Sequence, residues 1–173
     1  MPITVFIIFY SRCGIAEKLA LAAAVGAVQA RASIRLRRLP DVNAVMTIQD
    51  TEECRTNFER MRKEYVAPLE KDLLNADAFV FAARDTFEAT DAEWGNLLSM
   101  LSALCSDGLL TNKPAVVVAA SDTAVSELSR AIAQAGVTVI PPSHPYFDAE
   151  QAIAEGRRIV ATARVLNADK KAG

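Results

Sequence analysis

A single histidine, three scattered cysteines and only seven glycines leave this 173-residue chain without the parts of several common active sites. With His144 alone, no Ser/His/Asp triad can be assembled, and a lone loop histidine is more often a surface group than a proton donor. Cys13, Cys54 and Cys105 show neither a Cys-x-x-Cys motif nor metal-ligand spacing. No metal is expected, and the thiols are expected to be reduced, as in the cytoplasm. The glycines nowhere form G-x-G-x-x-G, which excludes the Rossmann dinucleotide fingerprint. No run approaches the ~20 apolar residues that cross a bilayer. The longest candidate, residues 19–28, is Ala-rich and interrupted by Gly26, so no membrane partner is expected. The first residues lack a basic segment and a cleavage site, and no export signal is expected. Positive charge is also short. A formal net charge of −2 supplies no field for nucleic acid, and the cluster Arg35, Arg37, Arg38 reads as the exposed side of a strand.

What is abundant is apolar residue in short, bounded runs. Hydrophobic residues make up 51% of the chain, enough for one buried core at this length. Residues 3–10, 78–83 and 115–120 are apolar throughout, as strands covered on both faces of a parallel sheet are. Residues 33–40 instead alternate with arginine and read as an edge strand ended by Pro40. Helical patterns stand between the strands. One runs from Ile15 to about Ala30, and one to about Val66 opens on Asp50 and Glu53, with Phe58, Met61 and Tyr65 as its stripe. Another runs from Asp91 to about Cys105 behind a Thr90/Glu93 capping box. A fourth opens on Asp122 and ends at Gly136. A last one, capped by Asp148 and Gln151, ends near Leu166.

Strand and helix alternate five times, without a repeat or linker. This pattern predicts a doubly wound α/β fold: a five-stranded parallel sheet in the order 2-1-3-4-5 with helices on both faces. One domain is expected over residues 1–166, with a flexible tail at 167–173. The polar turn from Ser11 to Gly14 delivers backbone N–H groups and a helix N-terminus to the carboxyl edge of the sheet, where such folds bind anions. The Ala-richness of the first helix, and Leu98 and Met100 beyond the narrow stripe of the helix from Asp91, point to a homodimer.

Several segments resemble a known family in order and spacing. FYSRCGIAEKLA resembles the phosphate loop and first helix of flavodoxin-like proteins, most of all the NAD(P)H:quinone oxidoreductases once called tryptophan-repressor-binding proteins. DLLNADAFVFA, WGNLLSMLSAL, DGLLTNKPAVVVAAS, AGVTVIPPSHPY and EGRRIVATARVL resemble the later segments of the same family. The resemblance implies an FMN cofactor, NAD(P)H as co-substrate, and a quinone or similar small molecule as electron acceptor.

It also implies a site. The FMN phosphate would sit on Ser11, Arg12, Cys13, Gly14, Ile15 and Ala16. The ring would lie between Arg84, Asp85, Thr86 and Phe87 on one side and Ser121, Asp122 and Thr123 on the other, with Trp94 near it. The chain departs from the family at Cys13 and Ala16, where flavodoxins carry hydroxyls, and Arg12 stands ready as a cationic substitute. Glu88 replaces an expected glycine, and the third loop, SDTAVSE, is short. Trp94 with Gly95 and Asn96 also matches the family's F-G-N, and equally reads as a core contact. No catalytic side chain is implied. The alternative to a flavoenzyme is a flavodoxin-like domain that has lost FMN and serves as a binding or assembly module.

Overall fold

The computed structural model describes residues 2–42, 49–84, 86–87 and 91–172. The elements follow in the order β1 (Thr4–Phe9), α1 (Ile15–Gln29), β2 (Ser33–Arg38), α2 (Glu52–Glu64), α3 (Glu70–Asn75) and β3 (Ala78–Ala83). Then come α4 (Ala92–Ser106), β4 (Pro114–Ala119), α5 (Asp122–Gln134), β5 (Thr138–Val139) and α6 (Ala149–Ala172). The five strands form one sheet in the order β2-β1-β3-β4-β5, every pair parallel. That is the topology the sequence predicts. Parallel neighbours need crossovers, and the helices supply them.

Burial follows the apolar runs. Every residue of β3 and β4 is buried, as is β1 from Val5 to Phe9. Phe6, Phe9, Phe79 and Phe81 fill the largest share of this centre, none measurably exposed. β2 is an edge strand whose first three residues are exposed, and β5, at the other edge, is only two residues long. Helices α1 and α6 pack on each other across one face of the sheet. Helix α5, with α4 beside it, covers β3 and β4 from the other side.

The α1–α6 contact is backbone against backbone. A Cβ placed on Gly26 would overlap the carbonyl oxygen of Ile153, and one on Gly156 would overlap that of Ala23. Glycine is required at both positions because the helices cross closer than any side chain allows. Around them Ala20, Ala23, Ala27, Ala152 and Ala163 are fully buried. The alanine richness of α1 is thus a packing requirement.

Helix ends differ from expectation where two candidate caps compete. Thr51, not Asp50, caps α2, its side chain accepting from Cys54 N–H at 3.1 Å. Ser121, not Asp122, caps α5 through Ala124 N–H at 3.1 Å. Asp148 and Gln151 form the reciprocal box expected before α6. Thr90 lies outside the described residues. Helix α6 also continues past Leu166 to Ala172, because Arg164 donates to Ala30 O and Asn167 donates to Asp77, tying that stretch to the sheet edge. Leu98 and Met100 are half-buried against the core.

Gly26→Ala and Gly156→Ala are each expected to destabilise the fold by about 2–3 kcal/mol or more, since the helices must separate along their crossing. Urea unfolding checks this; Gly95→Ala, where nothing lies within 4 Å of the added carbon, serves as the control.

Candidate functional site

The carboxyl ends of β1 and β3 release two loops that face each other, and the cavities between them define the site. One cavity of ≈60 Å³ is lined by Ser11, Arg12, Cys13, Ile15 and Arg84. Its neighbour, of ≈170 Å³, is lined by Tyr10, Arg12, Ala83, Arg84, Thr86, Asp91, Glu93 and Trp94. Arg12 and Arg84 border both. The sheet topology alone brings together these residues, 72 positions apart, through the β1–β3 pairing of Phe9 with Ala82.

The first loop is built for close backbone approach. Gly14 holds φ at 113°, a left-handed conformation that favours glycine, and Ser11 Oγ accepts Gly14 N–H at 2.9 Å to close the turn. Helix α1 then starts at Ile15 with no side chain capping it. The N–H groups of Ile15, Ala16 and Glu17 have no acceptor within the helix, so its positive end faces the loop. The small cavity meets this helix end at Ile15.

A ring of ion pairs holds the loop from behind. Arg38, only 4% exposed, donates twice to Ser11 O, at 2.9 and 3.2 Å, and pairs with Asp41 at 2.7 Å. Asp41 also accepts the Tyr10 hydroxyl at 3.0 Å. Burial first, and then Asp41, push the Tyr10 phenol well above its ordinary range, so it remains a phenol at every physiological pH. The reading of Arg38 as exposed strand surface is therefore corrected. The alternation that put Arg38 in phase with Ile34 and Leu36 was the available signal, since an arginine in the inward phase needs buried acceptors.

Arg35 and Arg37 turn to Asp72, whose side chain is fully buried, at 2.6 and 3.2 Å. Burial raises the Asp72 carboxyl, but these arginines and Leu69 N–H outweigh it and hold it below the usual range. Glu17 is similar. Burial raises it, yet hydrogen bonds from Arg60 at 2.6 and 3.0 Å and from Tyr65 at 2.8 Å leave it lowered.

The cysteines correct a second expectation. Cys13 and Cys54 form a disulfide, with their Cα atoms 4.4 Å apart, while Cys105 is free. The two lie 41 residues apart, and spacing gave no sign of their meeting. Asp50 stands beside them, its carboxylate 2.8 Å from Arg12. Cys13, Asp50 and Cys54 place three potential metal donors within 4.8 Å of one another, but in the disulfide neither sulfur is a thiolate able to ligate.

Of the expected site residues, Ser11, Arg12, Cys13, Ile15, Arg84, Thr86 and Trp94 line the two cavities, while Gly14 and Ala16 are buried and line neither. Asp85 and Glu88 lie outside the described residues. Phe87 is buried and meets Trp94 edge to face at 5.6 Å, so the pair belongs to the core, and Trp94 alone of the two lines the cavity. Ser121, Asp122 and Thr123 do not line these cavities. Their polar groups are turned to the start of α5, where Asp122 accepts Thr123 N–H at 2.7 Å. Asp91 and Glu93, which line the larger cavity, escaped the sequence reading. His144 lines neither cavity, its Nδ1 3.0 Å from Ser143 Oγ.

No family model matches the chain. A curated protein of Chelativorans sp. (strain BNC1), an NAD(P)H dehydrogenase (quinone), is 26% identical over 149 residues, or 82% of this chain and 72% of that protein. Among solved structures, a flavodoxin, WrbA-like protein from Agrobacterium tumefaciens superposes with a TM-score of 0.61 at 16% identity, over 94% of this chain and 98% of that one. FerB of Paracoccus denitrificans, a flavoenzyme NAD(P)H:(acceptor) oxidoreductase, gives 0.59 at 12% identity, over 94% and 97%. The fold is flavodoxin-like, and the resemblance drawn from the residues is matched by these relatives. Among the described residues, no helix is long and apolar enough to cross a membrane.

The buried acids carry a pH prediction. A carboxyl held low in the folded state contributes stability that is complete above its unfolded value, about pH 4, and is lost as pH falls through the folded value. Unfolding measured from pH 7 to 3 is expected to weaken below about pH 4. Glu17→Gln and Asp72→Asn should each cost on the order of 1–2 kcal/mol at pH 7, with solvent at the arginine ends taken into account, and flatten that acid slope.

Proposed function

We propose that this flavodoxin-like chain is an FMN-dependent NAD(P)H oxidoreductase acting on quinones or similar acceptors. One observation carries the reading: an uncapped 15-residue helix, entered through a left-handed glycine, ends at a small cavity bordered by Arg12 and Arg84. Backbone N–H groups, helix polarity and two guanidinium groups all favour a dianionic phosphate there. The residues therefore fit the phosphate end of FMN without the missing hydroxyls. Ser11, Arg12, Gly14 and the amides of Ile15 and Ala16 would hold the phosphate. Tyr10, Thr86 and Trp94 would border the ring along the larger cavity. FMN, when bound, would supply hydride transfer from NAD(P)H. The protein's part is to anchor, orient and exclude water. Arg84 is placed to serve both ends, since it borders both cavities.

Three features favour the second reading, a domain that keeps the fold and has lost FMN. Ser11 Oγ is occupied by Gly14 N–H, and Ser121–Thr123 are committed to capping α5. The larger cavity, at ≈170 Å³, is also smaller than the ~300 Å³ from which ligand pockets usually start. We hold the enzyme reading because the cations and the helix end converge on one cavity, which a mere strand-to-helix turn does not require.

We take the working unit to be a cytoplasmic homodimer. Leu21, Val25 and Val28 lie at helical spacing on the outer side of α1, each more than 40% exposed, and Val165 is exposed on α6. Light scattering at micromolar concentration should return twice the chain mass, and a monomer mass overturns this assembly.

Titration with FMN and with riboflavin, followed by flavin fluorescence, tests the cofactor. FMN should bind more tightly than riboflavin. Arg84→Ala should weaken FMN by about ten- to a hundred-fold, the worth of one charge-assisted contact, and weaken riboflavin, which lacks the phosphate, by less. No quenching at tens of micromolar FMN would sink the flavoenzyme and leave the binding module.

A further inference from the structure

Among the described residues, three contacts join the anion loop to the start of α2. Arg12 pairs with Asp50 at 2.8 Å, Asn57 Nδ2 donates to Cys13 O at 3.1 Å, and Cys13 is bonded to Cys54. Only the last is covalent, and only the last can be made or broken by electrons. We propose that Cys13–Cys54 is a thiol–disulfide exchange site, taking a dithiol as its reductant, and that its state governs how rigidly residues 11–14 are held for an anion. The second half rests on the anion-loop reading above.

The two sulfurs are not equivalent. Cys13 lines the small cavity, whereas Cys54 is 6% exposed beneath it. A reductant thiolate arriving through the cavity attacks Cys13 Sγ, the S–S bond breaks, and its electron pair leaves on Cys54. The reductant's second thiolate then attacks the mixed disulfide and releases Cys13. Two electrons have passed from the dithiol, which ends as a disulfide. The two protons it loses balance the two taken up by Cys13 and Cys54.

Cys54 is suited to the leaving role. It is the third residue of the 13-residue α2, where the positive end of the helix favours a thiolate, although its own N–H is taken by Thr51. Asp50 opposes that charge from 4.0 Å, and Arg12, bonded to the same carboxylate, offsets it. Cys105 does not compete, because burial pushes its thiol up and lowers its thiolate fraction.

Once reduced, the sulfurs are no longer held at bonding distance, and the loop loses its covalent tie to the start of α2. Two anchors oppose wholesale loss of the loop: Arg38 on Ser11 O, and Arg60 on Glu17. The change is therefore confined to residues 11–14 and the first turn of α1.

The test uses the full chain carrying Cys105→Ser. Native protein is equilibrated across ratios of reduced to oxidised dithiothreitol, alkylated and weighed. Two alkyl groups should appear together in one two-electron step, without denaturant. In the same samples, hydrogen exchange of the peptide covering residues 11–16 should quicken at least about tenfold on reduction, the mark of easier local opening. Cys54→Ser should exchange like the reduced protein, and should it fail to fold, the reduced parent still provides the comparison. Alkylation of both cysteines in air-oxidised protein, or a bond that yields only in denaturant, overturns the exchange site. Equal loop exchange in both redox states overturns the coupling. Failure of the FMN titration overturns the flavin reading alone and leaves both of these readouts in force.

Discussion

The close crossing of α1 over α6 at Gly26 and Gly156 is the constraint on which the rest depends. It seats α1 against β1 and β3, and so decides where the amino end of α1 points. Backbone contact of this kind tolerates no sliding, because any added carbon meets a carbonyl oxygen rather than a side chain that can turn away. A helix fixed at its middle has a fixed end. The loop from Ser11 to Gly14 needs only to span the short gap between β1 and that end, and the left-handed Gly14 makes the bend.

Buried charge performs the second positioning task. Arg38, Glu17 and Asp72 are nearly inaccessible, and each has its hydrogen-bonding groups directed at partners from a distant part of the chain. Such pairs gain little net stability over apolar replacements, since desolvation cancels much of the attraction. Their value lies in geometry. Arg38 draws the edge strand to the loop carbonyl, and Arg60 draws α2 to the first turn of α1. The site is thus bordered on its β2 side by groups that fix backbone, with Arg84 and the Asp50-paired Arg12 lining both cavities.

The same arrangement explains how a flavodoxin-like fold can dispense with loop hydroxyls. A phosphate needs several donors in a small volume, and backbone N–H groups at an uncapped helix supply them regardless of side chain. Cys13 and Ala16 leave that supply intact. What Cys13 adds is a covalent link to α2, placed where the loop would otherwise depend on one ion pair and one amide hydrogen bond.

How much of this was legible in the residues follows from the range of each interaction. Sheet order, the central strands and most helices could be read directly, because solvent exposure imposes a period of two or of 3.6 on neighbouring residues. The turn from Ser11 to Gly14 was legible for the same reason, being local: one strand end, one glycine and one helix start within ten residues. Choosing Thr51 over Asp50, and Ser121 over Asp122, was beyond sequence, since adjacent residues compete for the same N–H and tertiary partners decide. Arg38's burial, the Cys13–Cys54 bond, and the meeting of Arg12 with Arg84 and Glu93 belong wholly to the tertiary structure. They bring together residues 27 to 81 positions apart, and composition carries no record of which distant groups the folded sheet places side by side.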